Sequence, residues 1–207
     1  LIIAGVSRNW LPYKPQGGKR TFIMPRGIVI IIGILAAISF LVEGSIMDWS
    51  GILLTEVKQL DMSLAGTGYA IFSIAMLIMR LIGDKTVQLL GERNTVIGGT
   101  LLTAANFILL VAVDNIYLNA LNFILIGVGC SNVVPVFYSS LQKQQAMPIG
   151  DAVTAITSMG YTGVILGPAL LGFVAHSINI SAIFELVTFL LLIEVIAAKY
   201  VFKRLKI

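Results

Sequence analysis

Apolar residues in this chain run in six long blocks, with polar and turn-forming residues confined to the short gaps between them. The first block opens at Gly27 and carries no charge for sixteen residues, through Val42. Extended to about Val57 it would make roughly 45 Å of helix at ~1.5 Å per residue, more than the ~30 Å hydrocarbon core of a bilayer. Such a helix tilts, bends or projects, and Gly44 is the expected bend. Later blocks cover about 65–82, 94–113, 116–141, 152–175 and 180–202. Each reaches the ~17–25 residues a crossing requires, and lipid tolerates only backbones whose hydrogen bonds are satisfied internally. The pattern predicts an all-α polytopic membrane protein of six transmembrane helices.

Composition agrees: hydrophobic residues make up 57% and charged residues 12%, against roughly 45–50% and about 25% in ordinary globular domains. The placement of charge adds sidedness. Thirteen of the fourteen Lys and Arg residues fall in Arg8 to Arg26, Arg80 to Arg93, Lys143, and Lys199 to Lys206. With alternate gaps on opposite sides, all thirteen share one face of the membrane and only Lys58 lies on the other. Basic loops stay in the cytoplasm, so both ends of the chain are expected there, in a multi-pass protein of the cell membrane. The net charge of +4 sits in short juxtamembrane loops, not in a basic stripe interleaved with aromatics. It therefore points to anionic lipid headgroups and away from nucleic acid. Leu1 is not a Met and no signal-peptide pattern follows it, so the chain reads as a piece of a longer protein.

Several familiar chemistries are unsupported, and no cofactor or metal is expected. Cys130 is the sole cysteine and lies inside an apolar block, which leaves disulfides, zinc and cysteine catalysis without residues. In Gly17-Gly18-Lys19-Arg20, Tyr13 stands where a phosphate loop needs its first glycine and Arg20 where it needs Ser or Thr, so no ATP site is present by that route. His176 has no second His or Cys near it.

Glu43 is the sharpest candidate for function. A carboxylate deep in a transmembrane block is costly unless paired, hydrated or protonated, so it marks either a proton-accepting site or a structural carboxylate beside Gly44. Asp48 and Trp49 follow one turn further out; the indole could stack on a sugar or anchor the helix at the interface. Tyr69, Phe72, Ser73 and Met76 recur at helical spacing, as either a binding wall or packing. Asn122 and Asn132 need hydrogen-bond partners in lipid, supplied by a solute or by neighbouring helices. Glu185 and Glu194, on the last block, read as structural acids, with Lys199 or a neighbouring helix as partner for Glu194. Gly163 and Gly167 have the spacing that lets helices approach closely, while Pro135 and Pro168 permit bends.

Three stretches carry a family resemblance. Arg80-Leu-Ile-Gly83-Asp84-Lys85-Thr-Val-Gln-Leu-Leu-Gly91-Glu92-Arg93 resembles the signature loop of major facilitator superfamily transporters, in the weaker form of their C-terminal halves; the family's acid near Gln88 and base near Leu89 are absent. Gly160-Tyr161-Thr162-Gly163 with Gly167-Pro168 and Gly172-Phe173 is similar to the superfamily's penultimate helix, and Glu43-Gly44-Ser45-Ile46-Met47-Asp48-Trp49-Ser50 resembles the seventh helix of the sugar-permease-like branch that includes fucose permease. The resemblance implies the C-terminal half of a twelve-helix transporter: Leu1 to Val6 ending a preceding helix, residues 7–26 forming the central cytoplasmic loop, and residues 27–207 forming a six-helix domain. It further implies inverted three-helix repeats at roughly 27–113 and 116–202, a missing N-terminal half as partner, and a second helix lining the cavity. It makes Arg80, Gly83, Asp84, Gly91 and Arg93 a cytoplasmic gating loop, with Arg80, Asp84 and Arg93 as its charge cluster. The expected activity is alternating-access movement of a small polar solute, such as a sugar, coupled to protons. A receptor or scaffold that binds without transport stays open, as does an intramembrane enzyme. The enzyme would need a catalytic set such as paired acids or a Ser-Lys pair facing each other at membrane depth; only Glu43 and Asp48 come close, and they lie about 140° apart around a straight helix.

The charge pattern predicts that single cysteines at Asn115 and Asn179 react with impermeant reagents from outside the cell and that one at Lys143 reacts only from the cytoplasm. Labelling of the first two from the cytoplasm alone would reverse the topology.

Overall fold

The computed structural model describes residues 23–207, so the expected end of a preceding helix and most of the central loop lie outside the described residues. The described residues are helices and turns without strands. α1 (Ile28–Ile52) continues into a widened turn, Leu53–Val57; after a short lead-in turn, Met62–Leu64, come α2 (Thr67–Leu81) and α3 (Gly83–Leu90). α4 (Glu92–Ala112), α5 (Ile116–Cys130) and α6 (Val133–Ser140) follow, then a tight turn at Leu141–Lys143, α7 (Ile149–Ser177) and α8 (Ile180–Leu205). Among the described residues, six spans are long and apolar enough to cross a membrane, and the six expected blocks coincide with them to within a few residues.

Local chemistry explains the ends. The Asp61 carboxylate accepts the Ser63 N–H at 2.9 Å, and hydrogen bonding from Ser63, from its side chain first and its N–H second, holds that carboxyl below its usual range. The Asn115 side chain accepts the N–H groups of Tyr117 and Leu118 at 2.9 and 3.2 Å. Asn179 does the same for Ala182 at 2.8 Å, so its side-chain amide serves as a helix cap.

Three details depart from the sequence reading. α1 stays helical through Gly44, and its irregularity comes later, at Leu53–Val57. The stretch read as a loop after α2 contains the helix α3, hinged at Ile82. The fourth span is broken at Ser131 and Asn132. Pro135 accounts for the break, because it has no N–H for the carbonyl four residues earlier and its ring crowds that carbonyl. The carbonyl belongs to Ser131.

Among the described residues, the buried apolar side chains form two clusters. One gathers Ile46, Phe72, Phe107, Phe123 and Phe184; the other, at the opposite end of the bundle, gathers Ile32, Phe137, Ile156 and Phe202. Between them lies a belt of buried polar residues: Ser39 on α1, Thr100 and Thr103 on α4, Ser131 and Asn132 at the break, and Glu194 on α8. Large apolar residues such as Ile74, Ile165, Phe173 and Ile196 are exposed on the outside of the bundle, where lipid is their natural neighbour.

Helix pairing is regular. α1 packs on α7, α2 on α5, α4 on α5 and α8, and α1 on α8. Exchanging the first three spans with the last three turns the α1–α7 contact into the α5–α2 contact and leaves α4–α8 unchanged. Both exchanged contacts depend on glycine: a side chain at Gly163 would strike the backbone of Ala37, and one at Gly127 the backbone of Phe72. Ion pairs mark the two ends. Lys58 reaches Asp114 at 2.8 Å and the carbonyls of Val111 and Val113 at 2.8 and 2.9 Å, so the one basic residue outside the main clusters caps the end of α4. Lys143 and Glu92, 2.9 Å apart, join the other end.

Gly127→Val should push α2 off α5 and lower the stability of the full-length protein by about 1–3 kcal/mol, read as a fall in the thermal unfolding midpoint in detergent. Gly98→Ala meets open space and should leave the midpoint nearly unchanged; equal losses in both would remove the close-approach argument.

Candidate functional site

A cleft of about 370 Å³ opens between α1, α2 and α7, lined by Phe40, Glu43, Tyr69, Phe72, Ser73 and Arg80 among others. Its volume is in the range of small-molecule sites, roughly 300–1,000 Å³. The helical period assembles it. Phe40, Glu43 and Met47 recur at three and four residues on α1, and Tyr69, Phe72, Ser73, Met76 and Arg80 do the same on α2, each set forming one stripe. α7 contributes Val164, whose carbonyl loses its in-helix donor to Pro168. The Phe40 ring stacks on Tyr161 of α7 with centroids 6.2 Å apart, which fixes one wall.

Arg80 dominates the site. Its Nε donates to the Ser131 carbonyl at 3.2 Å, the acceptor that Pro135 leaves free, and its Nη2 donates to Glu43 Oε1 at 3.1 Å. One guanidinium thus joins the polar break of the fourth span to the acid of the first, using donors whose spacing is fixed by a rigid fork. The Glu43 side chain keeps 22% of its surface exposed and Arg80 43%, so the pair is open to the cleft.

The structure brings together four of the eight proposed solute or proton residues: Glu43, Tyr69, Phe72 and Ser73. It sets the other four elsewhere. Asp48 is exposed outside the cleft. Trp49 packs beside Gly172, its ring atoms 3.7 and 3.9 Å from where a side chain on that glycine would begin, with its indole N–H buried and, among the described residues, unpartnered. Asn122 is buried on α5. Asn132 donates to the Ser131 hydroxyl at 3.1 Å and presses on Gly83. The proposed loop cluster is also redrawn. α2 ends at Leu81, so Arg80 and Asp84 do not share a continuous helix, and Arg80 turns inward to Glu43. Asp84 and Arg93 are exposed and form no ion pair among the described residues, and Gly91 joins α3 to α4 at φ 78°.

Sequence reasoning missed Arg80 as a cleft residue, although it continues the stripe of Tyr69, Phe72, Ser73 and Met76 by one turn. Phe40 was missed too; its only signal was its place three residues before Glu43.

No family model matches the chain. It is 41% identical to an uncharacterized MFS-type transporter of Yersinia pestis over 97% of this chain and 53% of that protein. It is 29% identical to an uncharacterized transporter of Sinorhizobium fredii over 88% of this chain and 48% of that protein, and 24% identical to the membrane protein MosC of Rhizobium meliloti over 73% of this chain and 37% of that protein. The chain spans about half the length of the first two of these relatives, or less.

A double-mutant cycle of Glu43→Gln and Arg80→Gln, read from thermal unfolding of the full-length protein, should give a coupling of about 1 kcal/mol, at the upper end for partly exposed pairs. Additive effects would mean that the pair contributes nothing.

Proposed function

From the premise that the chain is a homologue of MFS-type transporters over nearly its whole length, we propose that it forms the C-terminal half of a proton-coupled transporter for a small polar solute, such as a sugar. The observation that carries this reading is Glu43, an acid deep in a membrane-spanning helix that faces a solute-sized cleft and is held by one arginine. An N-terminal half of six further helices supplies the other wall of the cavity. The basic loops, and with them both ends of the chain, face the cytoplasm of a cell membrane.

The cleft suits such a solute. Phe40, Phe72 and Tyr69 offer flat apolar faces, while Ser73, the Tyr69 hydroxyl and the spare Arg80 donors can meet hydroxyl groups. Protonation of Glu43 removes its charge and so weakens its hold on Arg80, which keeps its bond to Ser131 and can turn its remaining donors to a solute. Deprotonation restores the pair and competes with the solute for the same guanidinium. Proton and solute are linked in this way through one side chain.

In the full-length protein, Glu43→Gln preserves size and hydrogen bonding but takes up no proton. It should leave solute exchange intact and abolish accumulation driven by a proton gradient, as measured in vesicles. Undiminished accumulation would remove Glu43 as the coupling site, and binding without uptake by the unmutated protein would favour a receptor.

A further inference from the structure

Behind Glu43, away from the open cleft, lies a second and much smaller cavity of about 10 Å³, lined by Ser39, Glu43, Thr100, Thr103, Cys130 and Glu194 among others. Its size is at the lower bound for a single water, ~10–15 Å³, and its walls offer the several polar partners a buried water needs. Glu194 is fully buried. Its Oε1 accepts the Ser39 hydroxyl at 2.7 Å, while its Oε2 and the Thr100 hydroxyl are buried without partners among the described residues. Lys199, five residues further along α8, is exposed and forms no ion pair with it.

We infer that Glu194 is a second proton-carrying site, exchanging its proton with Glu43 through one water held in this cavity. The inference rests on the proposed role of Glu43 and deepens it. A sealed carboxylate without a cation is costly, whereas a carboxylic acid leaves Oε2–H as a donor for the water. Ser39 and Glu43 are one turn apart on the same face of α1, about 6 Å between side-chain origins, so the residue that holds Glu194 stands next to the acid of the open cleft. In the transfer, the Oε2 proton of Glu194 passes to the water while the water gives a proton to Glu43. Glu194 becomes a carboxylate still held by Ser39, Glu43 becomes the acid, and the water is unchanged. The groups that face this exchange are Ser39 and Glu43 from α1, Arg80 from α2 through its bond to Glu43, Thr100 and Thr103 from α4, and Cys130 from α5; α7 contributes no charged group to the cavity. Glu43 is the only member that also lines the open cleft, so it is the route by which a proton on Glu194 reaches water.

Infrared difference spectra of the full-length protein in lipid vesicles, titrated across neutral pH, test this directly. The wild type should show a protonated-carboxyl stretching band that Glu194→Gln removes and whose midpoint Glu43→Gln displaces. Ser39→Ala, which changes no charge, should move the band to higher frequency by removing a donor to the carbonyl oxygen; it decides the matter if Glu194→Gln does not fold. Absence of such a band overturns the inference, as does a midpoint indifferent to Glu43→Gln or a band that follows sodium concentration instead of pH. Gradient-driven uptake by the same preparations separates the two claims. Uptake without the band removes the second site and spares Glu43. A coupled band without uptake supports Glu194 as a proton site while removing the transport reading.

Discussion

The middle of this bundle depends on one displaced hydrogen bond, in which the Ser131 carbonyl, freed by Pro135, is taken up by the Arg80 guanidinium. An unpaired carbonyl at membrane depth costs several kcal/mol, since no water is on hand to satisfy it. A cation that satisfies it is drawn inward from the end of α2, and the same cation is then within reach of Glu43. A proline on the fourth span therefore determines where the arginine of the second and the acid of the first come together.

Around this link the bundle is layered. Two apolar clusters occupy its ends and a polar belt crosses its waist. In lipid, apolar side chains gain little by leaving acyl chains for protein, so close backbone contact and interhelical hydrogen bonds hold the helices. Glycines at the α1–α7 and α2–α5 contacts supply the first, and Ser39 with Glu194, the Tyr138 and Thr157 hydroxyls at 2.8 Å, and Arg80 with its two acceptors supply the second. The belt costs more to bury than an apolar core would, which is why polar residues at such depth mark function so often.

The cleft lies where the paired contacts leave a gap. α1 is held by α7 and α2 by α5, and between those tightly packed pairs α1 and α2 diverge enough to leave Glu43 accessible. The chain spans about half of its transporter relatives.

Six apolar blocks were legible in the sequence because a crossing is a local property: length, hydropathy and a satisfied backbone are decided within one segment. The stripe of Tyr69, Phe72 and Ser73 and the depth of Glu43 were legible for the same reason, through a fixed helical period. Pro135 signalled a break, but not which side chain would take the freed carbonyl. That choice needed residues 51 positions apart to meet. Sequence placed Arg80 with Asp84 in a loop, whereas tertiary structure turned it inward to Glu43, because the carbonyl and the carboxylate offered it two acceptors that the exposed loop did not. Glu194 likewise reads as an unremarkable acid on the last span until α8 packs against Ser39, 155 residues earlier. The segments and their periodicity belong to the sequence by itself; which polar groups share the buried waist is decided only by packing, since each must find its partner on another helix.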